Sequence, residues 1–445
     1  MRTLKHFVFL LSFALLAGGT AHAALKIQSW QLDNGARVLF VENHSLPVLD
    51  VSVEFDAGAR RDPAGKSGVA SLTNAMLARG VRSAPAADGS TEPEIDEDHI
   101  SDGLADLAAQ RGGSAGIDRA GITLRVLSAR EQRVPALNLL ARMLAHPAYP
   151  QGPFERDKAR VLASIREALT KPESIADKAL WKAMYGPHPY AQQPTVESVT
   201  PITREDLAAF HARHYVANRA VVSMIGDLTR EEADRVAREL TRRLPQGEPL
   251  PAMPPVVLQP TSEQRLPHPA TQSHILIGAP SLTRGDPDFF PLMVGNYVLG
   301  GGGFVSRLTR EVREKRGLAY SVYSYFSPLA QPGPFQAGLQ TQKESTDAAL
   351  KVVRDTIAEY LKEGPSAREI AAAKSNLIGG FPLRIDNNRK ILDNVAMIGF
   401  YGMPLDYLDT WTEQVRKVSL ADIRAAYKRH LVDATVSTVI VGAPQ

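Results

Sequence analysis

Two stretches of this 445-residue chain align with each other without a gap. Residues 206–226 read DLAAFHARHYVANRAVVSMIG, and residues 422–442 read DIRAAYKRHLVDATVSTVIVG, an offset of 216. Asp206, Arg213, His214, Val216 and Gly226 recur as Asp422, Arg429, His430, Val432 and Gly442. Each copy reads as an amphipathic helix followed by an apolar, β-rich strand, Val221 to Ile225 and Thr438 to Val441. A chance helix–strand match is the competing account, but a duplicated domain explains more of the identities. Between the copies, residues 244–262 carry Pro245, Pro249, Pro251, Pro254, Pro255 and Pro260. A run so rich in fixed φ angles and missing N–H donors excludes a regular helix and suits an extended linker. The expected organisation is an N-terminal domain over residues 24–243, the linker over 244–262, and a C-terminal domain over 263–445.

The remaining segments supply an α/β pattern for both domains. Strands are expected at Val38–Val41, Leu49–Phe55 and Ile122–Val126, and in the second half at His274–Ile277. Helices are expected at Val69–Ala78, Val134–Leu144, Phe154–Leu169 and Ile175–Met184, then at Phe290–Leu299, Ala348–Lys362 and Glu369–Ile378. The acidic stretch from Asp88 to Asp102 reads as a solvated loop or surface helix.

Charge and composition remove several function classes. The chain has no cysteine, which excludes disulfides, zinc ribbons and thiol nucleophiles. Residues 1–23 resemble an export signal: Arg2 and Lys5, an apolar run from Phe7 to Leu16, and Ala21-His22-Ala23 as a small-x-small cleavage site. Without that segment the balance falls from 51 basic against 48 acidic residues to 49 against 48. Such a chain has no electrostatic footprint for nucleic acid or an acidic membrane. No later apolar run reaches about 18 residues, so an exported, periplasmic chain without a membrane span is expected.

Several familiar chemistries are missing: there is no G-x-x-x-x-G-K-[ST], no G-x-S-x-G and no H-E-x-x-H. Gly300 to Gly303 lack a following Lys-Ser/Thr and read as a flexible turn between helices. His211 and His214 share a helix face and such a pair can bind a metal. With no carboxylate pair to complete a site, two surface histidines are expected. His188, in Gly186-Pro187-His188-Pro189-Tyr190, reads as a loop histidine fixing a turn.

Residues 304–323, FVSRLTREVREKRGLAYSVY, are more informative. Phe304, Leu308 and Val312 form a helical stripe, and Gly317 ends the helix. A strand from Leu318 to Phe326 follows, so the reversal lets Arg313 and Tyr320 approach each other. A guanidinium and a phenol provide directed donors for a peptide carbonyl or a developing oxyanion. On spacing alone, a surface arginine cluster with a core tyrosine is the plainer reading.

The chain resembles the pitrilysin/insulinase zinc peptidases, the family of mitochondrial processing peptidase, over nearly all of residues 25–445. The resemblance rests on Leu32-Asp33-Asn34-Gly35-Ala36-Arg37-Val38, Gly58-Ala59-Arg60-Arg61-Asp62-Pro63, Gly65 to Gly80, and Leu308 to Ser324. It implies an α+β fold of two homologous α/β domains, each a mainly antiparallel sheet packed with helices. The family's zinc motif, G-x-A-H-F-x-E-H-M-L-x-K-G, aligns with GVASLTNAMLARG at residues 68–80. Gly68, Ala70, Met76, Leu77 and Gly80 keep the frame. Ser71 and Ala75 stand at the two histidine positions, Asn74 at the general base, and Ser164 at the downstream glutamate ligand, while Asp157 keeps an acid at that helix's first motif position. Ser, Ala and Ser cannot bind zinc as imidazole and carboxylate do, and an amide has no useful basicity. The resemblance therefore implies no metal on this chain. Arg313 and Tyr320, by contrast, fit the family's substrate-binding arginine and tyrosine without adjustment. The expected function is the zinc-free subunit of an exported heterodimeric metallopeptidase. A homologous partner would carry H-x-x-E-H and zinc, with Arg313 and Tyr320 acting in trans on a peptide substrate. An inert scaffold of the same fold is the alternative, and an independent hydrolase built on His211 and His214 is a more distant one.

Overall fold

The computed structural model describes residues 25–85, 89–432 and 436–442; the segment read as an export signal lies outside them. Counting strands of at least five residues and α-helices of at least eight, the first half runs β1 (Ile27–Gln31), β2 (Arg37–Glu42), β3 (Val48–Phe55), α1 (Val69–Met76), α2 (Glu97–Asp106), β4 (Gln110–Ala115), β5 (Ala120–Leu127), α3 (Arg130–Ala145), α4 (Gln151–Ala168), α5 (Pro172–Tyr185), α6 (Arg204–His214), β6 (Val221–Gly226) and α7 (Arg230–Thr241). The second half runs β7 (Ser262–Leu266), β8 (Gln272–Leu282), α8 (Phe289–Asn296), β9 (Val322–Phe326), β10 (Gly333–Gln342), α9 (Thr346–Glu363), α10 (Ala367–Gly380), α11 (Asn388–Tyr401), α12 (Tyr407–Lys417), α13 (Leu420–Tyr427) and β11 (Ser437–Val441).

The first sheet has the order β1-β2-β6-β3-β5-β4, and the second β7-β11-β8-β10-β9. Apart from the extra β1, the two orders match strand for strand. Each contains one parallel pair, β6 with β2 and β11 with β7; all other neighbours are antiparallel. The duplication extends well beyond the 21-residue match. α3, α4, α5, α6 and β6 begin at 130, 151, 172, 204 and 221, and adding 216 gives 346, 367, 388, 420 and 437, where α9, α10, α11, α13 and β11 begin.

The repeated residues each do a structural job. Asp206 and Asp422 close capping boxes with Thr203 and Ser419 at the starts of α6 and α13. His214 and His430 each place Nδ1 on a backbone carbonyl at the end of β3 or β8, Asp56 O at 2.9 Å and Ser281 O at 3.2 Å. Gly226 and Gly442 lie so close to Val48 and Gln272 that a Cβ would sit 2.3 and 2.5 Å from their carbonyl oxygens.

The halves exchange helices. α5, from the first half, packs on β8 and β11, burying Leu180 and Met184 with Leu276, Val439 and Val441. α11, from the second half, packs on β2, β3 and β6, burying Ile391 and Val395 with Leu39, Val221 and Ile225. The second contact needs Gly399, where a Cβ would come within 2.6 Å of Leu39 Cδ1. Each sheet is thus covered on one face by its own helices and on the other by a helix from its counterpart.

A buried polar junction locks the halves together. Asp118, in the β4–β5 turn, accepts from Tyr190 Oη at 2.8 Å, Tyr401 Oη at 2.9 Å and the Ala330 N–H at 2.8 Å. Arg60 Nη1 lies 3.2 Å from the same carboxylate. Residues 242–261 contain no helix or strand. Arg61 holds this segment through Pro251 O at 2.8 Å, and His188 through Pro254 O at 3.0 Å. His188 also accepts from the Tyr190 N–H, as a turn-fixing histidine should.

His211 and His214 are not surface residues. Both are buried on α6 beside Leu207 and Phe210. His211 Nε2 lies 2.7 Å from Leu144 O. Burial pushes both imidazoles down to about 4, against the raising effect of their carbonyl partners. With folded-state values depressed below the unfolded value of about 6.5, protons bind the unfolded chain first. Their stabilising contribution is present above pH 6.5 and lost as pH falls towards 4. Each histidine steepens that fall by up to about 1.4 kcal/mol per pH unit. Urea midpoints measured from pH 7 to pH 4 should drop less steeply in His211→Gln than in the parent.

Candidate functional site

Helix α1 carries the positions where the zinc motif was expected. Gly68 precedes it at φ +114°, and Asp62 accepts from the Gly68 and Ala70 N–H groups at 2.8 and 2.7 Å. Burial raises that carboxyl to about 6, opposed by the two backbone donors. Ser71 and Ala75, one helical turn apart, share an exposed face. Asn74 points inward, and its Nδ2 donates to Gly121 O at 3.0 Å and Tyr215 Oη at 3.3 Å. Ser164 is exposed on α4. Zinc does not fit here: two hydroxyls, a methyl group and an amide committed to the fold offer no imidazole, thiolate or carboxylate. Asp157, the surviving acid, is buried and held by Arg79 Nε at 2.8 Å.

Arg79 also grips Glu97 at the start of α2, joined by Arg156 at 2.8 Å. The acidic stretch ends in the surface helix that was one expectation for it, but the part before that helix is a paired arm and not a solvated loop. Gly80–Val81 pairs with Ile95–Asp96, and Ala84–Pro85 with Thr91–Glu92. Glu92 bridges to Arg243 at 2.6 Å and Arg142 at 3.2 Å, fastening this arm to the turn after α7 and to α3.

The second group lies in the other half. Arg307–Leu308 are helical, and residues 309–314 continue as a wider helical turn with Leu308 and Val312 buried. Gly317 reverses the chain at φ +62°, its N–H bonding Arg313 O and the Leu318 N–H bonding Val312 O, each at 2.9 Å. Arg313 and Tyr320 do meet: the guanidinium carbon lies 4.8 Å from the Tyr320 ring centroid and 4.8 Å from that of Phe304. Phe304 is not in the buried stripe. It is 69% exposed, because Gly303–Val305 forms a separate turn before the helix begins. Tyr320 is 84% exposed rather than in the core, since strand β9 starts only at Val322 and Thr341 Oγ1 pins Leu318 O at 2.6 Å. Nor is the glycine run merely flexible: Gly300 is buried, and a Cβ there would lie 2.4 Å from Ser324 Oγ.

The neighbouring cations are occupied. Arg307 pairs with Glu369, while Arg310, Lys315 and Arg316 surround Glu311. Among the described residues Arg313 has no carboxylate partner. A half-buried guanidinium without a carboxylate, set between two exposed aromatic rings, is a donor set at the surface. No hydrogen bond, ion pair or ring contact among the described residues joins it to α1. That helix packs on α4, α6, β4 and β5, whereas the 309–314 turn packs on α9 and β9. The helix that aligns with the zinc motif and the Arg313–Tyr320 pair thus occupy separate places on one chain. Among the described residues, a trio of Asp286, Asp288 and His430 is compact enough to hold a cation. Arg429 already occupies Asp288 through contacts of 2.7 and 2.6 Å, so it reads as an ion-pair network.

A duplicated α/β fold with no zinc ligands on its motif-aligned helix matches the inactive-domain branch of a metallopeptidase family. The chain belongs to the peptidase M16 family and stands among its inactive members. The family description "peptidase M16 inactive domain" matches residues 201–377. A solved peptidase M16 inactive domain from Pseudomonas fluorescens is 37% identical, with a TM-score of 0.87, covering 95% of this chain and 98% of that one. The non-peptidase homolog YmxG of Helicobacter pylori is 28% identical over 403 residues, 88% of each chain. The periplasmic protease PqqL of Escherichia coli shares the fold at 14% identity, with a TM-score of 0.79 over 95% of this chain but 46% of that one.

Proposed function

We propose that this chain is the zinc-free subunit of a two-chain peptidase, lending Arg313 and Tyr320 to the active site of a homologous, zinc-bearing partner. One observation carries the reading: Arg313 is held half-buried between the exposed rings of Phe304 and Tyr320, without a carboxylate, and apart from the helix that aligns with the zinc motif. An inert scaffold has no use for an aligned, solvent-facing donor pair, and an exposed aromatic cluster invites a partner. In the assembled enzyme Arg313 and Tyr320 donate hydrogen bonds to the peptide carbonyl undergoing attack. That the chain spans 46% of PqqL's length accords with a working unit of about twice this size. Among the described residues no helix is long and apolar enough to cross a membrane. Together with the basic and apolar N-terminal sequence, this supports a periplasmic location.

The test is a native mass spectrum of the tagged chain, purified gently from its own cells. The expected result is a heterodimer with a second chain of similar size, carrying one zinc. A metal-free homodimer or monomer, with no peptidase recovered even after crosslinking in intact cells, would transfer the argument to the scaffold reading. Zinc bound to this chain alone would overturn the assignment of Ser71, Asn74, Ala75 and Ser164 as a lost site.

A further inference from the structure

The exchanged helices leave part of each covered sheet face open, and the two openings differ in charge. Beside α11, the first sheet's opening contains Asp50, Arg125, Arg389 and Asp393. Arg125 holds Asp50 through two bonds of 2.7 and 3.0 Å, and with Arg111 also in the lining the opening carries more arginines than aspartates. Beside α5, the second sheet's opening is a groove of about 310 Å³, lined in part by Glu173, Asp177, His274, Tyr323, Tyr325 and Gln336. The offset of 216 relates Glu173 to Arg389 and Asp177 to Asp393. Duplication has therefore placed an acid in one groove where the other carries an arginine. No Lys or Arg lines the second groove. Neither Glu173 nor Asp177 forms an ion pair among the described residues; Asp177 meets only neutral donors, Gln193 Nε2 at 3.5 Å and the Trp181 indole.

Strand register builds the floor. Tyr325, Gln336 and Gly278 lie in one cross-strand row, and Tyr323, Gly338 and Leu276 in the row two residues away, on the same face. The Tyr323 and Tyr325 rings stack at 6.0 Å and 13°. Gly338 leaves them room, because a Cβ there would come 2.6 Å from Tyr323 Oη. Gln336 is 3% exposed, and its Oε1 has no hydrogen-bond partner. A buried acceptor left unpaired is costly, and a donor arriving with a ligand relieves it. Burial keeps the His274 imidazole below its ordinary range, so near neutral pH it adds no cation.

We propose that this groove binds the guanidinium group of an arginine side chain carried by a peptide. The stacked tyrosines offer ring faces to a flat cation, Glu173 and Asp177 offer carboxylates to its N–H fork, and Gln336 Oε1 accepts a further N–H. The charged groups lining the groove are both carboxylates and its buried unpaired atom is an acceptor, which favours a donor-rich cation over an anion. The site belongs to this chain alone and stands apart from the reading of Arg313 and Tyr320.

Calorimetric titration of the chain with the capped tripeptide acetyl-Ala-Arg-Ala-amide tests it. Saturable binding is expected, with Kd on the order of 1 mM or tighter. The citrulline analogue, equal in shape but uncharged, should bind about tenfold more weakly or not at all, and Glu173→Gln/Asp177→Asn should lose a similar factor. Asp393→Asn, in the other groove, should leave binding unchanged. Melting temperatures equal to the parent's keep lost binding distinct from lost fold. Equal affinity for arginine and citrulline peptides, an unaffected double variant, or no saturable binding would each overturn the proposal.

Discussion

Replacing Asp118 by alanine is expected to lower the stability of the chain by about 3–5 kcal/mol, the range for removing one partner from a buried charged network. The carboxylate serves Tyr190 and Arg60 with one oxygen, and the Ala330 N–H and Tyr401 with the other. These groups come from both halves and lie away from bulk water. Alanine leaves them without an acceptor, and each buried donor so abandoned costs about 1–3 kcal/mol before relaxation. Asp118→Asn keeps one acceptor and should cost roughly half as much. Arg60 retains Asp56 at 3.0 Å in either variant, which limits the damage on that side. Urea unfolding followed by tryptophan fluorescence provides the measurement, since Trp181 sits on the exchanged helix α5 and Trp411 in the second core. An unchanged midpoint in Asp118→Ala would remove the junction from any role in holding the halves together.

In the complex isolated with its partner, Arg313→Ala or Tyr320→Phe should lower kcat/KM by about 10²–10³, as removal of one oxyanion donor does. Assembly should persist, because neither variant removes the buried contacts of the half that carries them. Arg313→Lys keeps the charge but loses the planar fork and the stack, so it should rescue little. Phe304→Ala removes only one face of the stack, a contact worth roughly 0.5–1 kcal/mol at an exposed site, and should cost a few-fold. Equal turnover in Arg313→Ala, Tyr320→Phe and parent would end the catalytic role and favour the scaffold.

Much of the fold was legible because duplication writes the same instruction twice. The match of 206–226 with 422–442 marked two copies, and residues such as Asp206 and Asp422 can be read directly as helix caps. That Ser71, Asn74, Ala75 and Ser164 offer no imidazole, thiolate or carboxylate was legible because it is a statement about residue types. Burial was harder. His211 and His214 fall on the same stripe as Leu207 and Phe210, at spacings of i, i+3, i+4 and i+7, so the signal for a core position was present. It was masked by the habit of treating histidine as polar. Phe304 was misplaced because its spacing to Leu308 presumed one continuous helix, which the turn at Gly303–Val305 interrupts. Asp118 carried no sequence signal: a lone acid in a short turn acquires its partners only when two halves close around it. The groove at Gln336 was hidden for the same reason, since α5 and β10 lie far apart in the chain and meet only through the exchange.

The exchange also bears on the order in which the chain is made. Sheet one has all its strands once Gly226 has been synthesised, but its second cover, α11, ends at Tyr401, 175 residues later. At about 5–20 residues per second, the apolar surface around Leu39, Val221 and Ile225 waits on the order of ten seconds or more for its lid. Over the same interval α5 has no sheet to cover. The nascent first half is therefore an unfinished object, sticky on one side, that needs shelter until its sister arrives. A chain arranged in this way is predisposed to be handled unfolded by its cell and to fold as a whole after release.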